Sequence, residues 1–178
     1  QPGRYVIDFQ GMDVLEAAGL PVLFNRLKGA VLPVRQNAAE KEARRNKAAL
    51  EKNPRAKVNR HHANFLKSWW RMSYPREDML TALDGLKRYI VCGRVTKRPI
   101  FASVSSRVRP NDALQVFAYD DDYSFGILQS DIHWQWFTAR CSTLKSDFRS
   151  TSNTVWDSFP LPPTPTLAAV KRVGAAAV

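Results

Sequence analysis

The sequence has few of the features that mark disulfide frameworks, zinc sites and membrane spans. Its two cysteines, Cys92 and Cys141, lie far apart, form no Cys-x-x-Cys pair and have no histidine at ligand spacing. We expect both to be small buried apolar residues. No apolar run approaches the roughly 20 residues that a membrane helix needs, and no basic segment followed by an apolar one opens the chain. These absences predict a soluble, intracellular protein without a metal site.

Acidic residues are also scarce relative to basic ones. The chain has 27 Lys and Arg against 16 Asp and Glu, a formal net charge of +11 and a pI near 10.1. Hydrophobic residues reach 44%, enough for most of the 178 residues to fold around a core. The excess of positive charge therefore favours a polyanionic partner for a folded domain, with nucleic acid ahead of an anionic membrane surface.

Most of that charge lies between Arg35 and Arg71, where eleven Lys or Arg against three Glu give a net charge of +8. Two interpretations stand at even weight: a solvated helix or disordered insertion, and an arm that follows DNA phosphates. The aromatic side chains at the end of this segment are expected to pin it to the β-rich body that follows, instead of stacking on bases. Those aromatic residues are Phe65, Trp69 and Trp70.

The chain from Leu86 onward has the pattern of a β-rich body. Strands are predicted at residues 88–93, 100–105, 113–119 and 123–129, the last two forming a hairpin around Asp120–Asp122. A further strand is predicted at Arg4–Phe9 and an aromatic helix at Ser130–Thr138. We therefore expect an α+β fold, with a twisted mixed or antiparallel sheet, helices packed on one face and a basic, helical N-terminal region.

Candidates for catalysis are weak. The three aspartates at 120–122 could hold a divalent metal as in a small nuclease, but no second carboxylate cluster accompanies them. His133 lies in the aromatic helix, and with no nucleophile assigned around it a core role is favoured over a catalytic one. We expect no catalytic residue and no metal ligand.

An ordered set of sequence blocks resembles the target recognition domain of MmeI-type enzymes, which are bacterial single-chain restriction-modification proteins with related phage-defence methylases. The likeness spans nearly the whole chain, including an opening strand at Tyr5–Phe9, and is strongest from Leu86 to Pro162. The blocks that carry it are Gly85–Lys97, Asp112–Ser130, Ile132–Trp136, Lys145–Arg149 and Asn153–Pro162.

The resemblance implies a fragment that binds double-stranded DNA and catalyses nothing itself. In the family, a covalently linked adenine methyltransferase domain uses S-adenosylmethionine. Neither an Asn-Pro-Pro-Tyr or Asp-Pro-Pro-Tyr tetrapeptide nor a Gly-rich loop after a strand occurs here, so no cofactor is expected in this chain. The expected recognition domain spans residues 1–162, with a basic helical part at 1–85 and the β-rich body at 86–162. Residues 163–178 are expected to form a linker or tail, and the parent protein to be cytoplasmic in a bacterium.

The resemblance also implies which residues contact DNA. Lys145 and Asp147 match positions that set one base, and Arg149 matches another specificity position. A lysine can donate to the major-groove acceptors of guanine while an aspartate accepts from the cytosine amino group, so the pair would select one orientation of a G·C pair. A plain surface ion pair, worth under about 1 kcal/mol, is the alternative for these two residues.

A second basic group lies in the β-rich body and its following loop. Arg94 and Lys97 are expected to contact bases. The expected phosphate-binding residues are Arg98, Arg107, Arg109, Arg44, Arg45, Lys57 and Arg60. Trp156 and Phe159 would anchor the far end of the loop that carries Lys145 and Asp147. A freestanding basic RNA-binding or architectural protein is the alternative from a different class, and it predicts binding that depends on salt but barely on sequence.

Overall fold

The computed structural model describes residues 3–9, 11–144, 147–149 and 154–178. The chain forms two compact units, Gln1–Arg76 and Glu77–Val178. Across the described residues, no helix is both long enough and apolar enough to cross a membrane. The expected domain bounds at 85/86 and 162/163 stay a prediction.

The described residues of the N-terminal unit form four helices: α1 (Val14–Ala18), α2 (Pro21–Ala30), α3 (Leu32–Lys52) and α4 (His61–Lys67). A capping box begins α1, because Asp13 Oδ1 accepts from the N–H groups of Leu15 and Glu16 while Glu16 Oε2 accepts from Asp13 N–H at 2.7 Å. Pro21 occupies the first turn of α2, where its missing N–H leaves no hydrogen bond unmade.

The strand predicted at Arg4–Phe9 is absent, and that prediction was wrong. A strand needs a neighbour for its ladder of backbone hydrogen bonds, and alternation of side chains does not supply one. Tyr5 is fully exposed. Only Phe9 is buried, with its ring centroid 6.4 Å from that of Phe24. The Phe9 ring is therefore an aromatic anchor of this segment.

The rings that end the basic segment pack within the N-terminal unit, and their expected contact with the β-rich body stays a prediction. The Trp69 ring lies 5.0 Å from that of Phe24. Trp70 Nε1 donates to the Met12 carbonyl at 3.1 Å, and Arg71 donates to the same oxygen at 2.7 Å. These contacts hold the end of the segment against the first helices of its own unit.

The C-terminal unit combines small antiparallel sheets with helices, which confirms the α+β class. One three-stranded sheet has the order β3-β1-β4, and a second has the order β2-β6-β5. The elements in chain order are α5 (Glu77–Leu83), β1 (Arg88–Gly93), β2 (Val95–Thr96), β3 (Ala102–Ser105), β4 (Leu114–Phe117), α6 (Asp122–Gln129), α7 (Asp131–Arg140), β5 (Ser142–Leu144), β6 (Asp147–Arg149) and α8 (Leu167–Ala177).

The hairpin predicted around Asp120–Asp122 is wrong, because residues 122–129 form helix α6. The Asp121 carboxylate accepts from the backbone N–H of Ser124 at 2.7 Å and so caps the helix. Asp122 adds a negative charge at the positive end of the helix dipole. The acidic run thus begins a helix.

Strand β1 is the centre of the core and is covered on both faces. Ile90 and Cys92 pack in one buried cluster with Leu128 of α6, and Tyr89 and Val91 pack in another with Leu83 of α5. This division follows from the alternation of side chains along a strand. It fixes β1 rigidly, and the chain leaves β1 directly into β2.

Helix α8 packs against α6. Thr166 caps it by accepting from Ala169 N–H at 3.2 Å. The approach to α6 is so close that a Cβ on Gly126 would lie 2.8 Å from Val173 Cγ1. The part of the expected tail from Leu167 onward is therefore helical and packed.

Candidate nucleic-acid interface

The second sheet brings together two basic groups that are far apart in the sequence. Val95 pairs with Arg149, and Thr96 pairs with Phe148. Arg94 precedes β2 and Lys97 follows it, so these two predicted base contacts flank the strand that pairs with β6, which carries Asp147 and Arg149. Strand pairing fixes their spacing, which a base-reading surface requires.

The side chains of β6 divide between two faces. The Phe148 ring lies 5.9 Å from that of Trp134 and 5.8 Å from that of Phe137, both on α7. By alternation, Asp147 and Arg149 lie on the face away from α7. Arg149 is exposed, whereas Asp147 is half-buried, and its Oδ1 is itself buried without a hydrogen-bond partner among the described residues. The prediction for Lys145 lies outside the described residues.

The backbone holds Arg94 where β1 passes into β2. Its N–H donates to the Ala113 carbonyl at 2.8 Å, which continues the pairing of β1 with β4. The Arg94 side chain is half-buried, and the Lys97 side chain is exposed. Both predicted base contacts thus lie on backbone that neighbouring strands fix.

Arg98 makes contacts through both its backbone and its guanidinium. The Thr96 hydroxyl donates to the Arg98 carbonyl at 2.7 Å and accepts from the Arg98 N–H at 3.2 Å. The guanidinium carbon lies 5.6 Å from the centre of the Trp134 ring, within cation–π distance. Trp134 has no functional signal in the sequence, because a helix that is apolar almost all round indicates only a buried helix. Trp134 lies far from the basic group in the sequence, so no local sequence pattern links the two.

Arg107 and Arg109 lie on the segment between β3 and β4, and both are exposed. The Tyr89 hydroxyl donates to the Val108 carbonyl at 2.7 Å, which ties this segment to the core. Burial raises the pKa of Tyr89, and the positive charge of Arg109 partly opposes that shift. The two arginines therefore flank a fixed point on the surface of the C-terminal unit.

In the N-terminal unit, Glu42 of α3 caps helix α4 from outside. Its carboxylate accepts from His62 N–H and Ala63 N–H, each at 3.0 Å, and the residue is only 6% exposed. Burial acts to raise the pKa of Glu42, but the backbone hydrogen bonds and the charge of His62 bring it below its usual value. An ionised carboxylate at a helix N-terminus is a stabilising arrangement.

Arg35, two turns earlier on α3, binds the other end of α4. It donates to the carbonyls of Phe65 and Arg71 at 2.8 Å each, and also to the Ser68 carbonyl and the Ser73 hydroxyl. Residues seven apart lie on the same face of a helix. Arg35 and Glu42 therefore clamp α4 along α3.

Two further hydrogen bonds hold the loop after α3. Asn46 Nδ2 donates to the Asn59 carbonyl at 2.5 Å, and Asn46 Oδ1 accepts from Asn59 N–H at 3.0 Å. The basic segment is therefore ordered in the structure, which contradicts the alternative of a disordered insertion. The predicted phosphate-binding residues of this unit are all exposed on it: Arg44, Arg45, Lys57 and Arg60.

The acidic run has structural partners. Asp121 caps α6, the Asp122 carboxylate pairs with the Arg88 guanidinium, and the Asp120 carbonyl accepts from Arg88 Nε at 2.9 Å. Among the described residues, no group of three or more His, Cys, Asp or Glu could hold a metal ion. The arrangement of these residues does not favour the nuclease alternative.

His133 is a core residue. It is 1% exposed, and its Nδ1 lies 2.9 Å from the Leu128 carbonyl, which fixes that nitrogen as the donor. Rings of Trp156 and Phe159 lie 5.6 and 5.2 Å away. Burial lowers the pKa of His133, partly opposed by the Leu128 hydrogen bond, so the neutral ring is favoured.

The turn after the second sheet is anchored as expected. Trp156 is 9% exposed, and its ring stacks on that of Phe159 at 6.0 Å. Trp136 Nε1 donates to the Val155 carbonyl at 2.9 Å, which ties the turn to α7. Helix α7 therefore supports both the second sheet and the turn that follows it.

Comparison with known proteins bears on the same region. Residues 89–163 match the family model described as "MmeI, target recognition domain". The match runs from β1 through the second sheet to the anchored turn, and over this segment it confirms the resemblance to MmeI-type target recognition domains.

A solved structure of the type IIL restriction-modification enzyme MmeI in complex with DNA is similar to this chain, with a TM-score of 0.64 and 16% identity. The similarity covers 96% of this chain and 20% of that chain, so this chain spans about a fifth of its length. At this identity the likeness shows the fold. Among curated proteins, none matches the chain.

Proposed function

We propose that this chain recognises the base sequence of double-stranded DNA as the specificity domain of a restriction-modification enzyme. The observation that carries the proposal is the pairing of β2 with β6, which joins the strand that Arg94 and Lys97 flank to the strand that carries Asp147 and Arg149. The family match at 89–163 covers this sheet. The solved structure of similar fold is described as a complex with DNA, which supports the same kind of partner.

In this proposal the residues divide into two roles. Arg94, Lys97 and Arg149 contact base edges, while Lys145 and Asp147 together select one orientation of a G·C pair. Exposed cations outside the second sheet contact phosphates and supply affinity without sequence information. These phosphate contacts are Arg44, Arg45, Lys57, Arg60, Arg107 and Arg109.

The parent enzyme in this proposal is an adenine-specific DNA methyltransferase that uses S-adenosylmethionine. Its methyltransferase domain is covalently linked to this chain, and the chain itself supplies recognition without catalysis. The small share of the MmeI chain that it matches is consistent with one specificity domain of a larger protein.

The test is selection of duplexes from a pool with a randomised segment, by the purified 178-residue chain at fixed salt, followed by sequencing. We expect a preferred sequence. The double change Lys145→Glu with Asp147→Arg should alter the preferred base at one position, because the donor and the acceptor exchange places. Lys171→Glu with Asp157→Arg, two exposed sites outside the second sheet, is the control that reverses charge equally.

The outcomes separate the competing functions. A preference that shifts only in the Lys145/Asp147 variant supports the proposal, and an unchanged preference removes these two residues from it. Enrichment of no sequence, with affinity that depends on salt alone, would indicate the architectural alternative. Cleavage of the pool in magnesium, abolished by Asp121→Asn, would indicate the nuclease.

The salt dependence of affinity tests phosphate contact by the N-terminal unit separately. Changing Arg44 and Arg45 to alanine should reduce the slope of log affinity against log salt by about 2, since each phosphate contact contributes roughly 0.9. The preferred sequence should stay the same. A slope equal to that of the unaltered chain would exclude these two residues from the interface.

A further inference from the structure

Arg98 has contacts both through its backbone, with Thr96, and through its guanidinium, with Trp134. Thr96 Oγ1 binds both the N–H and the carbonyl of Arg98, at 3.2 and 2.7 Å, so the backbone turns sharply and is held there. Trp134 lies under the guanidinium, 5.6 Å from ring centre to Cζ. The contact is tertiary, because it joins the segment after β2 to helix α7.

The same indole ring supports the neighbouring strand. The Phe148 ring of β6 meets the Trp134 ring nearly at a right angle, 88°, with the centroids 5.9 Å apart. Asp147 and Arg149 flank Phe148 in sequence. Trp134 therefore sets the position of the Arg98 guanidinium relative to the strand that carries two proposed base contacts.

Fixed orientation matters for base contacts more than for phosphate contacts. Phosphates repeat along DNA and accept hydrogen bonds over a wide range of angles, so a mobile cation can bind them. A guanine edge presents two acceptors in one plane, and a guanidinium matches them only when its own plane is aligned. A pre-positioned fork also loses less conformational entropy on binding.

Arg140 provides a contrast within the same unit. Its guanidinium lies 4.6 Å from the Trp136 ring centre, but both residues belong to α7 and are four positions apart. Side chains at this spacing meet on any helix, and a cation in the last turn is favoured by the helix dipole. The Arg140 contact therefore has a local explanation, which the Arg98 contact lacks.

We propose that Arg98 is a base-reading residue that takes the two major-groove acceptors of a guanine, and that Trp134 is its positioning residue. This inference rests on the proposed DNA recognition and changes the role of Arg98, which the sequence had placed among the phosphate contacts. Arg98 then reads its guanine from the α7 side of the second sheet, where its guanidinium lies over the Trp134 ring.

The experiment uses duplex selection as above and then measures affinity for the preferred duplex and for each single-base-pair variant at several salt concentrations. Arg98→Lys keeps the charge but loses the planar fork, so discrimination at one guanine position should fall roughly tenfold. Trp134→Leu should relax the same position with the salt slope unchanged, and Trp134→Phe should restore part of the discrimination. Arg140→Ala is the matched control and should retain full discrimination.

The competing role for Arg98 gives a different pattern. A phosphate contact predicts that Arg98→Lys behaves like the unaltered chain, and that Arg98→Ala weakens all duplexes equally while the salt slope falls by about 1. That pattern would overturn the inference and leave the proposed function standing. Absence of any preference in the unaltered chain would instead refute the proposed function itself. Since Arg98→Lys leaves the Trp134 packing intact, the test holds even if Trp134→Leu does not fold.

Discussion

Two glycines in the contact between α6 and α8 are expected to respond to alanine with opposite signs. At Gly126 of α6, a Cβ would lie 2.8 Å from Val173 Cγ1, 3.0 Å from the Val173 carbonyl oxygen and 3.1 Å from Ala177 Cβ. At Gly174 of α8, the nearest atom is Asp122 Cβ at 3.4 Å, an ordinary van der Waals contact. Gly126→Ala and Gly174→Ala thus each add one methyl group to the contact between α6 and α8.

The magnitudes follow from two opposing effects. Alanine in place of a helical glycine gains about 1 kcal/mol from helix propensity. Overpacking costs about 1–3 kcal/mol, and the upper part of that range applies at Gly126, because a backbone oxygen cannot move aside as a flexible side chain can. Gly126→Ala should therefore destabilise the C-terminal unit by about 1–2 kcal/mol net. Gly174→Ala should stabilise it by up to about 1 kcal/mol.

Thermal and urea unfolding followed by circular dichroism measures both changes. For a unit of this size 1 kcal/mol corresponds to roughly 4 °C in Tm, so the two variants should differ by about 4–12 °C. A Gly126→Ala variant as stable as the unaltered chain, or more stable, would show that α8 does not pack on α6 at the described distance.

Three further predictions concern stability and reactivity. Arg35→Ala should lower the free energy of unfolding of the N-terminal unit by about 2–4 kcal/mol in urea titration, because four acceptors lose their donor; exposed Arg26→Ala, the control, should change it little. The stability that ionised Glu42 contributes is complete above its unfolded pKa of about 4.5 and is lost as pH falls below it. In Glu42→Gln, the free energy of unfolding should therefore depend less on pH below 4.5. An unchanged pH dependence in that range would contradict this. Burial raises the pKa of Cys92 to about 12, so iodoacetamide at pH 8 should react with half-buried Cys141 before Cys92 in the folded chain. Mass spectrometry measures the two labelling rates, and equal rates in the folded chain would contradict the described core.

Local patterns in the sequence predicted the elements whose causes are local. The bounds of β1 at Arg88–Gly93 agree with the prediction, since a short apolar run ended by glycine identifies a buried strand. Ser130 caps α7 by accepting from His133 N–H at 3.2 Å, and Pro21 begins α2. Each of these depends on residues within one turn or one strand.

Predictions failed where a local pattern fitted two structures. Residues 123–129 alternate well enough for a strand, but the side chain of Asp121 caps a helix there, and α8 covers it at Gly126. Residues 4–9 also alternate, and no neighbouring strand takes up their backbone hydrogen bonds in the described part of the chain. In both cases the outcome depended on contacts outside the segment.

The sequence alone determined the excess of positive charge, its concentration before Arg71, and the residues whose chemistry suits DNA. Tertiary structure decided which of them lie together. Strand β2 has two residues and no strong signal of its own, yet its pairing with β6 sets Val95, next to Arg94, opposite Arg149, and α7 brings Trp134 to Arg98. These contacts join residues distant in the chain, and they form only because burying β1 and α7 in one core offsets the entropy of closing the intervening loops.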